Sequence, residues 1–295
     1  MKFEHIGIVG YGEVGRIFAA GLRPAVAFMR TWDAKFADTA ANAAMLDHAG
    51  QAGVTACNSM QALCADSELV VSAVTAANTL VVAQEAARCI RAGTIFLDLN
   101  SASPGTKQAA ARVIDAAGAH YIEAGVMASV PPHGIRVPML LGGPHAVAVG
   151  AVLNAWGMDA RAVSDQVGIA SAIKMCRSVM VKGLEALVIE SYASARAYGV
   201  EDHVLSSLQE TFPGIDWQQQ GAYFFSRVVQ HGQRRAGEMR EAAHTVREAG
   251  FEPTMATAIA DKQQWVADRA RGGSFADIDK AATWQHYADR LLGMR

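Results

Sequence analysis

The sequence predicts an α/β chain in which an N-terminal doubly wound parallel sheet is followed by an all-α C-terminal domain. Over the first 165 residues, apolar strand-like runs alternate with alanine-rich helical runs, as in parallel sheets whose strands are joined by helices. A glycine-rich turn directly follows the first of these runs, and few strands are visible after residue 165. We therefore expect one domain over residues 1–165 and a second over residues 166–295.

The predicted elements of the first domain follow one another in a regular order. The predicted strands cover residues 5–9, 25–32, 69–74, 94–99, 120–124 and 137–141. The predicted helices cover residues 13–22, 42–51, 60–65, 79–90 and 104–117. Pro24 leaves the start of the second strand open, because proline cannot donate a backbone hydrogen bond. The alternation favours a parallel doubly wound sheet.

The second domain is predicted to consist of helices. Residues 168–198 indicate one long helix, because apolar residues recur there at intervals of three and four, and we expect it to join the domains. The remaining predicted helices cover residues 206–211, 218–229, 233–249, 254–271 and 274–292.

Composition and charge exclude several classes of partner. The formal net charge of −2 gives no reason to expect nucleic acid or an anionic membrane surface. We expect no signal peptide, since the chain opens directly into a strand, and no apolar run approaches the roughly 20 residues of a membrane span. The four cysteines lack CxxC or metal-ligand spacing, so we interpret them as buried thiols of a cytoplasmic protein and expect no metal site.

The strongest local signal is a GxGxxG turn between the first strand and the first helix. The first glycine permits the tight turn, the second lets the backbone approach a pyrophosphate, and the third lets helix and strand pack closely. The helix N-terminus adds N–H groups and a partial positive charge. This context predicts a Rossmann dinucleotide-binding domain whose cofactor loop is Gly10, Tyr11, Gly12, Glu13, Val14 and Gly15.

Asp33 is the candidate residue for recognising the adenosine ribose, because it follows the turn at about the expected spacing of roughly 20 residues. A carboxylate there accepts hydrogen bonds from ribose hydroxyls and repels a 2′-phosphate, which favours NAD as the cofactor. Arg30 and Lys35 flank it and could hold a 2′-phosphate, so NADP is the alternative. A solvated acid at the end of a strand, without function, is the simpler interpretation of Asp33.

Four further sequence segments indicate to which protein family the chain is related. They are residues 98–104 (DLNSASP), 123–129 (EAGVMAS), 140–143 (LLGG) and 168–174 (GIASAIK). In this order they resemble the β-hydroxyacid dehydrogenase family, which includes 3-hydroxyisobutyrate dehydrogenase and, more distantly, 6-phosphogluconate dehydrogenase. The last third, through residues 212–217 and 231–241, resembles a less characterised, 6-phosphogluconate-dehydrogenase-like branch of that family.

The resemblance implies an NAD(P)-dependent dehydrogenase or reductase that acts on a small-molecule hydroxy acid or a related alcohol or carbonyl. It implies that Lys174 is the catalytic lysine, and that the protein forms a homodimer through its helical domain. The residues implied to line the nicotinamide or the substrate are Val74, Thr75, Asn78, Asn100 and Ser101.

Some positions depart from the family pattern. Met127, Ala128 and Ser129 replace the usual Ser-Gly-Gly, which seats a substrate carboxylate, so reduction of an imine or a bulky carbonyl is a second hypothesis. Ser178 replaces the asparagine usual four residues after the catalytic lysine. A Lys-Asp pair usual in the C-terminal domain falls on Gly237-Glu238. A non-catalytic NAD-binding module is the third hypothesis.

Lys174 could accept the proton of a substrate hydroxyl, or return it in the reverse direction. A free lysine, with a pKa of about 10.4, is a poor base at neutral pH, but burial and nearby positive charge lower the pKa. Arg177, one helical turn along, could supply that charge, and Ser178 could hydrogen-bond the lysine or the substrate.

A second basic group lies in the last third of the chain, where His231, Arg234 and Arg235 have the spacing of one helix face. They could bind an anionic or polar group of the substrate. Either arginine could replace the lysine of the Lys-Asp pair that is usual in the family. The alternative is a solvated basic face whose charges pair with Glu238 and Glu241.

Overall fold

The computed structural model describes residues 2–37, 42–279 and 281–293. The chain divides into two compact units, Met1–Lys174 and Met175–Arg295. The division falls inside a single long helix, so the first turns of that helix belong to the first unit and the rest to the second.

In the described part of the first unit, eight strands form one sheet in the order β3-β2-β1-β4-β5-β6-β7-β8. The central strands are buried along their whole length, as expected when helices cover both faces of a sheet. The strands are β1 His5–Val9, β2 Phe28–Trp32, β3 Thr55–Ala56, β4 Leu69–Ser72, β5 Ile95–Asp98, β6 His120–Val126, β7 Pro138–Gly142 and β8 Asp159–Ser164. The predicted α/β fold class is therefore confirmed, with a Rossmann-like sheet.

The sheet is parallel, as predicted, except at one pairing, where β7 runs antiparallel to β6. The residues between these two strands form only short helical turns. A parallel pairing needs a crossover of about a dozen residues or more, usually a full helix, and this connection is too short for one. Strand β8 then pairs parallel to β7 after a helical crossover. Strands β3 and β8 were not predicted, since neither carries an apolar run.

Helices cover both faces of this sheet. Helix α1 buries Gly15, Phe18, Ala19 and Leu22, which repeat at intervals of three and four residues and so form one face. The side chains of two successive strand residues point to opposite faces, and two separate apolar cores result. The helices are α1 Glu13–Leu22, α2 Asn42–Gln51, α3 Met60–Cys64, α4 Thr79–Ala87, α5 Pro104–Ala116, α6 Val130–His133, α7 Ala146–Ala155 and the start of α8 Ile169–Tyr198.

The described part of the second unit is helical throughout, as predicted. After α8 come α9 Glu201–Thr211, α10 Trp217–Glu248, α11 Thr254–Arg271 and α12 Trp284–Leu291. Its aromatic core includes Tyr192, Phe225 and Trp284, all of them buried.

Several helix boundaries predicted in this unit are wrong, and α9, predicted from residue 206, begins at Glu201. The helices predicted at 218–229 and 233–249 are one helix, α10, because Gly232 serves close packing and not a turn: a Cβ there would lie 2.8 Å from the carbonyl oxygen of Gln263. Of the helix predicted at 274–292, in which residue 280 lies outside the described part, only α12 forms. A capping box of Thr283 and His286 fixes its start.

No helix in the described part of the chain is long and apolar enough to span a membrane. Of the four cysteines only Cys64 is buried, whereas Cys57 and Cys89 are half-buried and Cys176 is exposed. The prediction that all four thiols are buried is therefore wrong for three of them.

Candidate active site

The glycine-rich turn has the geometry that its spacing predicted. Gly10 has a φ of +88°, and a Cβ there would lie 2.5 Å from the carbonyl oxygen of Ala73. A Cβ on Gly15 would collide with the carbonyl oxygen of Gly10, so α1 can pack this closely only with glycine. At Gly12 a Cβ would meet nothing within 4 Å, so the backbone faces open space at the start of α1. That combination fits a dinucleotide pyrophosphate.

The side chains of the turn anchor it to the neighbouring strand and helix. The Tyr11 N–H donates to Asp33 Oδ2 at 2.7 Å, and the Tyr11 hydroxyl lies 3.1 Å from His48 Nδ1. The Tyr11 side chain is buried, and burial raises the pKa of its hydroxyl. Glu13 and Val14 form the first turn of α1, where an acidic residue complements the helix dipole.

Asp33 lies where a ribose-binding acid is expected, directly after β2 and beside the glycine-rich turn. In addition to Tyr11, its Oδ1 accepts from the backbone N–H of Lys35 at 2.9 Å. Arg30, the proposed alternative ligand for a 2′-phosphate, has its guanidinium 2.7 Å from the carboxylate of Asp66 and donates to the carbonyl of Ala62. Arg30 is therefore engaged elsewhere on the unit, whereas Lys35 is exposed.

The ends of β4 and β5 are tied together by Asn100. Its Oδ1 accepts from the Val74 N–H at 2.7 Å, and its Nδ2 donates to Ser72 Oγ at 3.0 Å. Thr75 and Asn78 lie in the exposed turn that follows, where Asn78 Nδ2 donates to Thr75 Oγ1 at 3.1 Å. Both loops thus meet at the carboxyl edge of the sheet, the edge at which open α/β sheets bind ligands.

Lys174 meets Ser101 at the same edge. The Lys174 Nζ donates to Ser101 Oγ at 2.5 Å, although the two residues are 73 positions apart in the chain. Ser101 lies in the loop after β5, and Lys174 lies in the part of α8 that belongs to the first unit. Both side chains are half-buried, so this amine stands at the surface of the sheet edge and not in the core.

The end of β6 completes this edge. At Gly125 a Cβ would lie 2.9 Å from the carbonyl oxygen of Ala170 and 3.6 Å from the Cβ of Lys174, so the strand passes close to the start of α8. Met127, Ala128 and Ser129 follow directly, with Ala128 exposed and Ser129 at the N-cap of α6. The segment that departs from the family pattern therefore leaves the sheet next to the helix that carries Lys174.

A buried polar network behind Asn100 was not predicted. Asp98 Oδ1 lies 2.9 Å from Lys107 Nζ and accepts from the Asn100 N–H at 2.8 Å, while its Oδ2 accepts from the Tyr121 hydroxyl at 2.5 Å. Burial, and then the neighbouring Asp98 carboxylate, raise the pKa of Tyr121 well above its usual value, so this hydroxyl stays a donor. The available signal was Lys107, a lysine at the helical spacing of the buried face of α5.

Ser178 and Arg234, two of the predicted residues of the second unit, have partners within that unit. Glu238 bridges two cations: Lys182 Nζ at 2.6 Å and the exposed Arg234 guanidinium at 2.7 Å. The hydroxyl of Ser178 accepts from Lys182 Nζ at 3.5 Å. Burial lowers the pKa of Lys182, against the opposing attraction of Glu238. Arg177 is exposed on α8.

Arg235 differs from its neighbour Arg234. It is buried, and its guanidinium forms a two-pronged ion pair with Glu185, which also accepts from Gln263 Nε2 at 3.1 Å. The basic face predicted from His231, Arg234 and Arg235 is therefore divided: Arg235 lies in the core of the unit, Arg234 pairs with Glu238 as the alternative had it, and His231 is half-buried.

In the described ranges, no group of three or more His, Cys, Asp or Glu side chains is placed to hold a metal ion.

Residues 5–158 match the NAD binding domain of 6-phosphogluconate dehydrogenase, over more than half of the chain. The chain belongs to this family. Residues 195–266 match a domain of unknown function, DUF1932, so the second unit adds a C-terminal part of its own to the family's NAD-binding domain.

Solved structures are similar over almost the whole chain. A conserved hypothetical protein from Sinorhizobium meliloti is 37% identical, with a TM-score of 0.79, over 98% of this chain and 96% of that one. The 3-hydroxyisobutyrate dehydrogenase of Mycobacterium tuberculosis is 15% identical, with a TM-score of 0.69, over 98% and 99%. A reductive aminase from Aspergillus terreus is 18% identical, with a TM-score of 0.57, over 98% and 100%. The last two share the fold, and this chain thus has an NAD-binding domain on a hydroxyacid dehydrogenase-like fold.

Proposed function

We propose that this protein is an NAD(P)-dependent dehydrogenase or reductase that interconverts a hydroxy acid, or a related alcohol, with its carbonyl, and that Lys174 is its general acid/base. The observation that carries the proposal is the hydrogen bond from Lys174 Nζ to Ser101 Oγ at 2.5 Å. Through this bond the amine lies at the carboxyl edge of an NAD-binding sheet, the edge at which the loops after β4 and β5 also lie.

The residues of this edge fit a dinucleotide. Gly12 leaves the backbone open to a pyrophosphate at the start of α1, and Asp33 beside it offers a carboxylate to the ribose. Val74, Thr75, Asn78 and Asn100 would hold the nicotinamide end. When bound, the nicotinamide supplies the hydride exchange with the substrate carbon.

The chain's own residues supply the proton. The amine of Lys174 takes the hydroxyl proton when an alcohol is oxidised and returns it to the oxygen when a carbonyl is reduced. The hydroxyl of Ser101 holds that amine in one orientation, and Asn100 fixes the loop from which Ser101 projects. We assign Met127, Ala128 and Ser129 to the substrate side, because they leave β6 beside the start of α8.

The test is Lys174→Met, compared with wild type on a panel of hydroxy acids and alcohols with NAD and NADP. Loss of a positioned acid/base should lower kcat by about 10²- to 10⁴-fold. The Kd for NADH, measured by fluorescence titration, should stay within about twofold, since the glycine-rich turn is untouched. Lys262→Met is the matched control: this lysine pairs with Glu190 on the surface of the second unit, and full activity is expected. Unchanged turnover in Lys174→Met would reject the proposal.

Reduction of an imine or a bulky carbonyl is the second candidate. It is favoured by Met127, Ala128 and Ser129, which replace the element that usually seats a carboxylate, and by the likeness in fold to a reductive aminase. The discriminating experiment pairs ketones with amines in the presence of NADPH or NADH. Turnover restricted to hydroxy acids would exclude this candidate, and binding of NADH without any turnover would favour the non-catalytic module.

We propose that NAD is preferred to NADP. Asp33 presents its carboxylate beside the turn, and Arg30 is engaged with Asp66, so the only flanking cation left from the NADP alternative is the exposed Lys35. Asp33→Asn keeps the size of the side chain and an acceptor for the Tyr11 N–H but removes the charge. It should raise the Kd for NADH and lower that for NADPH, whereas Lys35→Met should leave NADH binding unchanged. Tighter binding of NADPH by the wild type would contradict this assignment.

We also propose that residues 166–295 carry the contact of a homodimer. On α8, Met180, Leu184 and Leu187 are exposed apolar residues at intervals of three and four, and together they form a stripe. Light scattering should give twice the chain mass of 31.2 kDa, and Leu184→Glu should shift it towards the monomer. A monomeric wild type at micromolar concentration would overturn this assignment. A cytoplasmic location, the last part of the proposal, agrees with four free thiols.

A further inference from the structure

We propose that Glu123 is a positioning residue for Lys174, because it holds the first turn of α8 at a fixed place against the sheet. The inference rests on the proposed role of Lys174 as acid/base. Glu123 is fully buried in β6, and its Oε1 accepts from the N–H groups of Gly168 at 2.7 Å and Ala170 at 2.9 Å. Its Oε2 accepts from the Ser171 N–H at 3.3 Å.

The first N–H groups of a helix have no partner within the helix, and a buried one must find a partner elsewhere. A carboxylate placed there accepts several of these hydrogen bonds at once and interacts favourably with the positive end of the helix dipole. The same bonds offset the cost of burying the Glu123 charge. Lys174 lies one turn beyond Ser171, so the position of its Cα follows from that of the capped turn.

Gly142 leaves room for the Glu123 carboxylate beside the start of α8. At Gly142 a Cβ would lie 2.5 Å from Glu123 Oε1 and 3.1 Å from its Cγ, so any side chain there would push the carboxylate aside. Gly125, two residues beyond Glu123, lets the carbonyl of Ala170 approach the strand. Strand β6 thus holds the helix start at two adjacent points on one side of the sheet.

The other half of the Lys174–Ser101 pair is held by a carboxylate in the neighbouring strand. Asp98 is the register partner of Glu123, and it accepts from the Asn100 N–H at the base of the loop that carries Ser101. Two adjacent buried acids therefore hold the two partners of this hydrogen bond: Asp98 holds the loop that carries Ser101, and Glu123 holds the helix turn that precedes Lys174.

The test is Glu123→Gln, which keeps the size of the side chain but replaces one acceptor oxygen by an amide that cannot accept from N–H groups. Acetic anhydride labelling at pH 8, quantified by mass spectrometry against Lys262 in the same sample, reports how well Lys174 is held. We expect the relative labelling rate of Lys174 to rise about fivefold, the size expected for loss of a helix cap. Glu123→Asp, which keeps the charge, should restore a rate closer to wild type.

Activity gives the second readout. Displacing the amine by a fraction of an ångström to one ångström should lower kcat by about 10- to 100-fold and shift the pH dependence of kcat. The Kd for NADH should stay within about twofold, because the glycine-rich turn joins β1 to α1 and Glu123 lies in β6. A residue that only stabilised the fold would change neither the pH profile nor the labelling of one lysine relative to another.

Gly142→Ala tests the same geometry without removing the acid, and it decides the matter if Glu123→Gln does not fold. It should raise the labelling of Lys174, whereas Gly150→Ala is its matched control, since a Cβ at Gly150 would make only contacts of 3.4 Å or longer. If both Glu123→Gln, where it folds, and Gly142→Ala leave Lys174 labelled at the wild-type rate, Glu123 does not position it. The labelling result stands even if Lys174→Met proves fully active, an outcome that would reject the proposed function alone.

Discussion

Each unit buries a lysine against a carboxylate, but the two pairs have different surroundings. In the sheet unit, Lys107 and Asp98 are each only 1% exposed and lie 2.9 Å apart. In the helical unit, Lys182 and Glu238 lie 2.6 Å apart, with Glu238 12% exposed and also 2.7 Å from the guanidinium of Arg234. Removal of the lysine leaves Asp98 with neutral donors, whereas Glu238 keeps a second cation.

The acid left behind determines how much stability is lost when a buried cation is removed. A buried acid without a countercharge costs several kcal/mol, whereas the loss of a pair whose acid stays neutralised can be close to neutral. The location matters for function as well, because Asp98 supports the loop of Asn100 and Ser101 through a backbone hydrogen bond.

The largest effect is expected for Lys107→Met. Asp98 would remain fully buried, and among the described residues its remaining donors would be the Tyr121 hydroxyl and the Asn100 N–H, so the free energy of unfolding should fall by about 3–5 kcal/mol. Urea denaturation of the full chain measures it. Lys2→Met, which removes an exposed lysine beside Glu4, should produce no measurable change. The double variant with Asp98→Asn should recover part of the loss. A loss below about 1 kcal/mol in Lys107→Met would show that an unpaired Asp98 is not costly here.

Arg235→Met should have an intermediate effect. Glu185 would lose its two-pronged partner but keep Gln263 Nε2 at 3.1 Å, so we expect a loss of about 2–4 kcal/mol in the free energy of unfolding. The adjacent Arg234→Met is the matched control, since that side chain is 58% exposed and its loss should cost less than about 1 kcal/mol. Equal effects of the two substitutions would show that burial does not separate these neighbouring arginines.

Local periodicity predicted most of the fold, because strand and helix spacing are properties of short segments. The helices at Glu13–Leu22, Asn42–Gln51 and Thr254–Arg271 form over the residues predicted for them. The direction of β7 was missed because it depends on the length of a connection and not on the strand's own residues. The continuity of α10 was missed because Gly232 is read as a break unless its packing against Gln263 is known.

Some residues of the candidate site could likewise be predicted from the sequence, and others could not. The glycine-rich turn and Asp33 follow from local spacing, and Lys174 and Ser101 followed from a family resemblance. The roles of Asp98 and Glu123 could not be predicted, since each depends on partners far along the chain: Glu123 caps a turn that begins 45 positions later. A signal for Arg235 was available, because it falls at helical spacing with the buried residues Gly232, Ala236 and Met239.

Lys182→Met should have the smallest effect on stability, and this effect should depend on pH. Burial lowers the pKa of Lys182 from 10.5, so between the folded and the unfolded pKa the unfolded chain binds more protons. The free energy of unfolding contributed by this lysine therefore rises with pH up to about 10.5, and at neutral pH the buried charge reduces stability. Methionine at this position should change the stability at pH 7 by less than about 1 kcal/mol, towards a more stable fold.

The advantage of Lys182→Met over wild type should shrink as the pH is raised towards 10.5, because the wild-type lysine then loses its charge in both states. Urea denaturation of both proteins at about pH 7 and about pH 10 measures this difference, and all other titrating groups cancel between them. A loss at pH 7 as large as that of Lys107→Met would mean that Arg234 does not neutralise Glu238. The acid left behind would then not explain why the two buried lysines differ.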